Sequence, residues 1–158
     1  MKKKLIYVCF AAMLVMGLTI TAEFPTNANE SKPMLDGSYL TCEDESTGIA
    51  GSLTRGVDLQ TGYSKLRELG PGKIYAGGTT IAQHDVESVK VSVIVERAKD
   101  ADDYWHYVDS WQKENKNTYT VSTSKMLEVE PDWYYRVRCI HSAGNDMSSS
   151  STNGLYID

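Results

Sequence analysis

The hydrophobic positions of this chain fall into two regimes. Residues 5–22 are continuously apolar and carry no charge. From about residue 57 onward the apolar residues alternate with polar ones, in short runs divided by glycine, proline, asparagine and aspartate. Strict alternation is the signature of a strand with one buried face, because successive side chains point to opposite sides of a sheet. In ESVKVSVIVER, Val89, Val91, Val93 and Val95 alternate with Lys90, Ser92 and Glu96. One face is therefore predicted to be core and the other wet.

The same reading extends along the chain. KIYAGGTTIAQ predicts a strand with a bend or bulge at Gly77-Gly78. YWHYVDSWQKE and TYTVSTSKMLEV predict two strands separated by a turn at NKN. WYYRVRCIHSA predicts another, followed by a serine-rich loop and four closing strand residues. In GVDLQTGYSKLRELG a short helix over YSKLREL competes with a strand, since Leu66 and Leu69 stand three apart. Its flanking glycines, Gly62 and Gly70, keep any such helix short. The sum is about seven strands with turn signals roughly every 10–12 residues. That spacing is the signature of an antiparallel sandwich or barrel, and the fold expected is all-β, a single antiparallel β-sandwich.

The N-terminus changes the picture from fold to destination. Lys2, Lys3 and Lys4 precede the apolar run, the arrangement of a secretory signal peptide. A retained membrane anchor is the rival, because the run approaches the length of a span. Small-residue cleavage sites end at Ala22 and at Ala28, and the organisation expected is a signal peptide over 1–28. A flexible, acidic, disordered linker is expected over 29–54, polar and without periodicity, and the β domain over 55–158. The chain carries 16 basic and 21 acidic residues, a net charge of −5. Removal of residues 1–28 takes away three lysines and one glutamate and leaves −7. Such a balance opposes nucleic-acid binding and adsorption to anionic lipid, and suits a protein outside the cell with no membrane contact after cleavage.

Beyond Cys9 in the apolar run, Cys42 and Cys139 remain. Two readings stand. A Cys42–Cys139 bridge would close a loop of about a hundred residues. Alternatively both are free, with Cys139 on an apolar face as a small hydrophobe.

Two resemblances bear on these segments. Leu127, Pro131, Tyr135, Val137 and Cys139 form a pattern similar to the corner between the fifth and sixth strands of fibronectin type III and immunoglobulin-like sandwiches. There a tyrosine hydrogen-bonds back across the corner. The resemblance implies that the expected sandwich is of the fibronectin-III or immunoglobulin-like kind and that Tyr135 is a structural corner tyrosine. GKIYAGG, VSVIVER, YWHYVDSW, VSTSKMLEV and YYRVRCIHSAG together resemble a family of small secreted Gram-positive bacterial proteins, a domain of unknown function. It implies export and brings no activity or site residue.

Candidate chemistry is sparse. GPGK at 70–73 lacks the first glycine and the final Ser/Thr of a phosphate loop and reads as a turn. The aspartates at 100, 102 and 103 read as a hairpin tip. His84, His106 and His141 lie in separate segments without metal-ligand spacing, so no metal and no cofactor is predicted. His106, Asp109 and Ser110 are neighbours in sequence only. Aromatics are the remaining signal: alternation puts Trp105, Tyr107 and Trp111 on one face of a strand, and this strand is the candidate binding element. Val108 on the opposite face is also apolar. Either a bulge switches face between Tyr107 and Val108, or one face is core and the other is partly covered. The function expected is a secreted, non-enzymatic binding or interaction module, with cell-wall glycan or another extracellular protein as partner. A small secreted hydrolase, and a structural or immunity-type partner of another exported protein, are the alternatives.

Overall fold

The computed structural model describes residues 38–51 and 56–158. The signal peptide expected over 1–28 lies outside the described residues, as do residues 29–37 and 52–54 of the segment expected to be a linker. Eight strands are formed and no helix is present among the described residues: β1 (Leu40–Thr41), β2 (Glu45–Ile49), β3 (Leu59–Glu68), β4 (Lys73–Ala98), β5 (His106–Glu128), β6 (Trp133–Ala143), β7 (Asp146–Ser151) and β8 (Gly154–Ile157).

The fold is organised by the β4–β5 ribbon. β5 runs antiparallel along one side of β4 from Lys73↔Glu128 to Arg97↔His106. The other side of β4 is shared. β3 pairs with its first half, from Leu59↔Ala82 to Glu68↔Ile74. β6 pairs with its second half, from Val89↔Ala143 to Ala98↔Tyr134. β2 extends the sheet beyond β3, and β7 and β8 extend it beyond β6. β1 pairs parallel with β8, which makes the sheet mixed.

The ribbon bends where its register shifts between Ile81 and Val86, close to Asn117, which takes a φ of 49°. Asparagine tolerates that left-handed conformation better than most residues. The bend curls the sheet into a half-barrel, so that β3 packs against β6 and β7. Side chains of glycine size allow the approach. A Cβ on Gly62 would stand 2.3 Å from the His141 ring, and one on Gly78 would stand 2.6 Å from Cys139 Sγ.

Inside the curl lies the core. Val89, Val91, Val93 and Val95 are fully buried, as their alternation requires, with Leu66, Ile74, Val121, Val137, Leu155 and Ile157. Leu66 is buried while Leu69 is 43% exposed. A helix would have placed both on one face; the strand period separates them.

Several local expectations are revised. KIYAGGTTIAQ and ESVKVSVIVER form one strand, and NKN interrupts β5 without turning it, because β4 offers a partner across the whole ribbon. Gly77 and Gly78 pair in regular register with Ser124 and Thr123, so the bend lies a few residues later. β1 and β2 occupy residues assigned to a flexible linker, held by pairing with β8 and β3. Their side chains show little apolar periodicity, which is why only the tertiary partner reveals them.

Candidate functional site

Trp105, Tyr107 and Trp111 do not form a row. Val95 pairs with Asp109, but Glu96 pairs with Tyr107, so Val108 is the extra residue of a bulge. The bulge shifts the alternation by one. Trp111 packs against the core with the Lys125 ammonium 4.5 Å from its ring centroid. Lys125 Nζ also meets Asp109 Oδ2 at 2.9 Å. Trp105 packs instead against the Arg136 guanidinium, 4.2 Å from its ring centroid. Only Tyr107 is well exposed, at 66%, and its hydroxyl is hydrogen-bonded to Ser110 Oγ.

Arg136 and Glu96 lie on the face that alternation assigns to solvent, yet both are buried. Glu96 Oε2 accepts from Arg136 Nε at 2.8 Å and Glu96 Oε1 from Arg138 Nη2 at 3.0 Å. Arg136 also donates to Ser38 Oγ. The mutual pairing of these charges makes their burial tolerable.

The histidines scatter as their sequence positions imply. His106 lies 3.2 Å from Asp103, and His84 lies 3.3 Å from Asp58. The His106 ring meets Asp103, the Asp109 carboxylate accepts from Lys125 and from the Ser110 backbone N–H, and Ser110 Oγ meets the Tyr107 hydroxyl, so the three side chains form no relay. His141 is fully buried between two hydroxyls, with Nδ1 2.8 Å from Thr80 Oγ1 and Nε2 2.8 Å from Ser150 Oγ. Thr80 donates its proton to the Lys90 carbonyl. It must therefore accept from His141 Nδ1–H, leaving Nε2 to accept from Ser150. Burial pulls this imidazole down to about 4, so it is neutral at ordinary pH. A hydroxyl–imidazole contact sealed in the core has no route to a substrate, and its role is to satisfy three buried polar groups.

Cys42 is an exposed free thiol and Cys139 a buried one. The bridge between them is not formed. Cys139 faces Gly78 within the curl, and burial pushes its thiol up to about 12. Tyr135 is buried, and its hydroxyl donates to the Glu130 carbonyl at 2.8 Å, across the turn that precedes β6. Among the described residues no three His, Cys, Asp or Glu side chains converge as a metal site would require. Asp103 accepts from the Lys99 and Tyr104 backbone N–H groups, which hold its carboxyl below the usual range. Asp146 does the same for the Leu59 and Asp58 N–H groups, tying the β6–β7 turn to the start of β3.

The concave feature with lining suited to a ligand lies elsewhere, on the outer face of the half of the sheet built from β2, β3, β4 and β5. It is a groove of about 510 Å³. On β3, Tyr63 and Lys65 face outward between the buried Ser64 and Leu66. On β4, Tyr75, Gly77 and Thr79 alternate with the buried Ile74, Ala76 and Thr80. Tyr63 pairs with Thr79, Lys65 with Gly77, and Gly77 with Ser124, so the lining is set by unbroken register. Gly77 is the floor. A Cβ there would stand 2.9 Å from Ser124 Cβ and 3.1 Å from the Tyr75 hydroxyl oxygen. Thr79 and Ser122 share a hydroxyl–hydroxyl bond of 2.7 Å on one wall. The sequence held one signal for this place: tyrosine two residues before a glycine in a strand puts an aromatic ring beside a missing side chain on the same face.

Comparison with protein-family models, curated proteins and solved structures finds no match to this chain.

Proposed function

We propose that the chain is an exported, non-enzymatic binding module and that the outer-face groove is its binding surface. The observation that carries this reading is the groove itself: about 510 Å³, two tyrosines, a ring of hydroxyls and a glycine floor on paired strands. Its volume lies within the usual range for ligand sites. No histidine lies among its lining residues, and the one basic residue there, Lys65, is paired with Glu45.

Export rests on the basic and apolar N-terminus and on the net negative charge. A fibronectin-III-like sandwich is the finer form of the fold reading. The Tyr135–Glu130 hydrogen bond and the packing of β3 on β6 support it. Of the three aromatic residues first considered, Tyr107 alone stays accessible, so the binding role moves from β5's first half to the groove.

The test is retention of the purified chain on isolated cell walls and on exported proteins, compared with Gly77→Val, which fills the floor. Loss of retention in a folded variant supports the reading; equal retention ends it. Mass spectrometry of the released protein should find an N-terminus between Glu23 and Asn29. An intact Met1 in the membrane fraction would replace release by anchoring.

A further inference from the structure

We infer that the groove takes a neutral sugar chain, an inference that rests on the binding reading above and names its ligand class. Charge is the first argument. The one charged residue among those lining the groove, Lys65, meets Glu45 Oε2 at 3.1 Å. The lining is thus close to neutral, on a chain whose net charge is −5. A phosphate-rich or otherwise anionic polymer needs uncompensated cations at its site, and none of the lining residues supplies one.

The second argument is the hydroxyl inventory. The side-chain hydroxyls of Thr47, Tyr63, Tyr75 and Ser124 stand on the groove's face of the sheet and make no hydrogen bond to another described residue. A hydroxyl both donates and accepts. A ligand covering these four must offer groups that do both, in several directions. Sugar hydroxyls do; an apolar peptide would leave them dehydrated and unpaired, at a cost for each.

The third is the tyrosine pair. Each ring has an apolar face beside a polar tip, which matches a pyranose, whose C–H faces alternate with a polar rim. Because Tyr63, Tyr75 and the hydroxyls project from strands in continuous register, little ordering remains to be done on binding.

The full chain is titrated by calorimetry with three neutral trisaccharides, those of N-acetylglucosamine, β-linked glucose and α-linked glucose. A polyglycerol phosphate and an uncharged apolar peptide serve as competitors. Saturable binding of at least one trisaccharide is expected, insensitive to salt. Tyr75→Phe, which keeps the ring and the fold, should weaken it about fivefold by removing one hydroxyl. Tyr75→Ala should weaken it at least about tenfold. Tyr107→Ala, outside the groove, should leave it unchanged. No saturable binding of any trisaccharide, or equal affinity in Tyr75→Phe and Tyr75→Ala, overturns the inference. If wall or protein retention still depends on Gly77 while no trisaccharide binds, the sugar inference falls and the groove stands. If retention is also indifferent to Gly77, both fall.

Discussion

Glu96 Oε2 lies 2.8 Å from Arg136 Nε, with the two side chains only 10% and 8% exposed. They stand 40 residues apart in sequence and opposite each other across β4 and β6. Removing Glu96 takes the close buried counter-ion from Arg136 and the 3.0 Å partner from Arg138, and breaking a buried pair is costly. Glu96→Ala should therefore cost about 3–5 kcal/mol in urea unfolding. Replacing both residues by apolar ones of similar volume should recover most of that loss. A single-variant cost below about 1 kcal/mol would mean that water reaches the pair.

His141 makes stability depend on pH. Its folded value of about 4 lies below the ordinary 6.5, because burial disfavours the imidazolium. The unfolded chain then binds more protons than the folded one between those values. The stabilisation is fully present above pH 6.5 and is lost as pH falls toward 4, by roughly 3 kcal/mol in all. Glu68, raised by burial and by its hydrogen bond with Asp158, acts in the opposite sense near the foot of that window. His141→Gln isolates the histidine: its unfolding free energy should change much less between pH 6.5 and 4.5. An unchanged slope would place the pH dependence elsewhere.

The Tyr135 hydroxyl serves one acceptor, the Glu130 carbonyl, in a site closed to solvent. Tyr135→Phe keeps the ring and leaves that carbonyl without its donor. A loss of about 1–3 kcal/mol in thermal or urea unfolding is expected. No loss would remove the corner from the list of structural supports.

The two cysteines should separate by reactivity. A maleimide added to the native protein should modify Cys42 within minutes. Cys139, buried and with its thiol pushed up to about 12, should react only after unfolding. Modification of both at the same rate in the native protein would contradict the burial of β6.

Much of the sheet was legible in the chain. The four valines of ESVKVSVIVER point inward because period two allows no other arrangement of a half-buried strand. Other features depend on partners distant in sequence. NKN reads as a turn, yet Asn117 absorbs the bend within β5 because β4 pairs on both sides of it. Gly77 reads as a bend, and is instead a flat register position whose missing side chain leaves room for the Tyr75 hydroxyl and Ser124. The bulge at Val108 lay among the alternatives that the apolar pattern of YWHYVDSW allowed, and the register between β4 and β5 selected it.

The sequence by itself determined the all-β class and which residues of β4 and β6 face the core. Both follow from alternation, a property of neighbouring residues. Only the tertiary structure decided what covers the opposite face. Glu96 and Arg136 are polar residues at positions that alternation assigns to water. They are buried because Trp105, displaced by the β5 bulge from any row with Trp111, packs against the guanidinium. His141 sits on an inward position, and its place there depends on Thr80 and Ser150 arriving from β4 and β7 with matching hydroxyls. A binary pattern states which side a residue faces. Whether that side is wet is set by what the curl of the sheet brings against it.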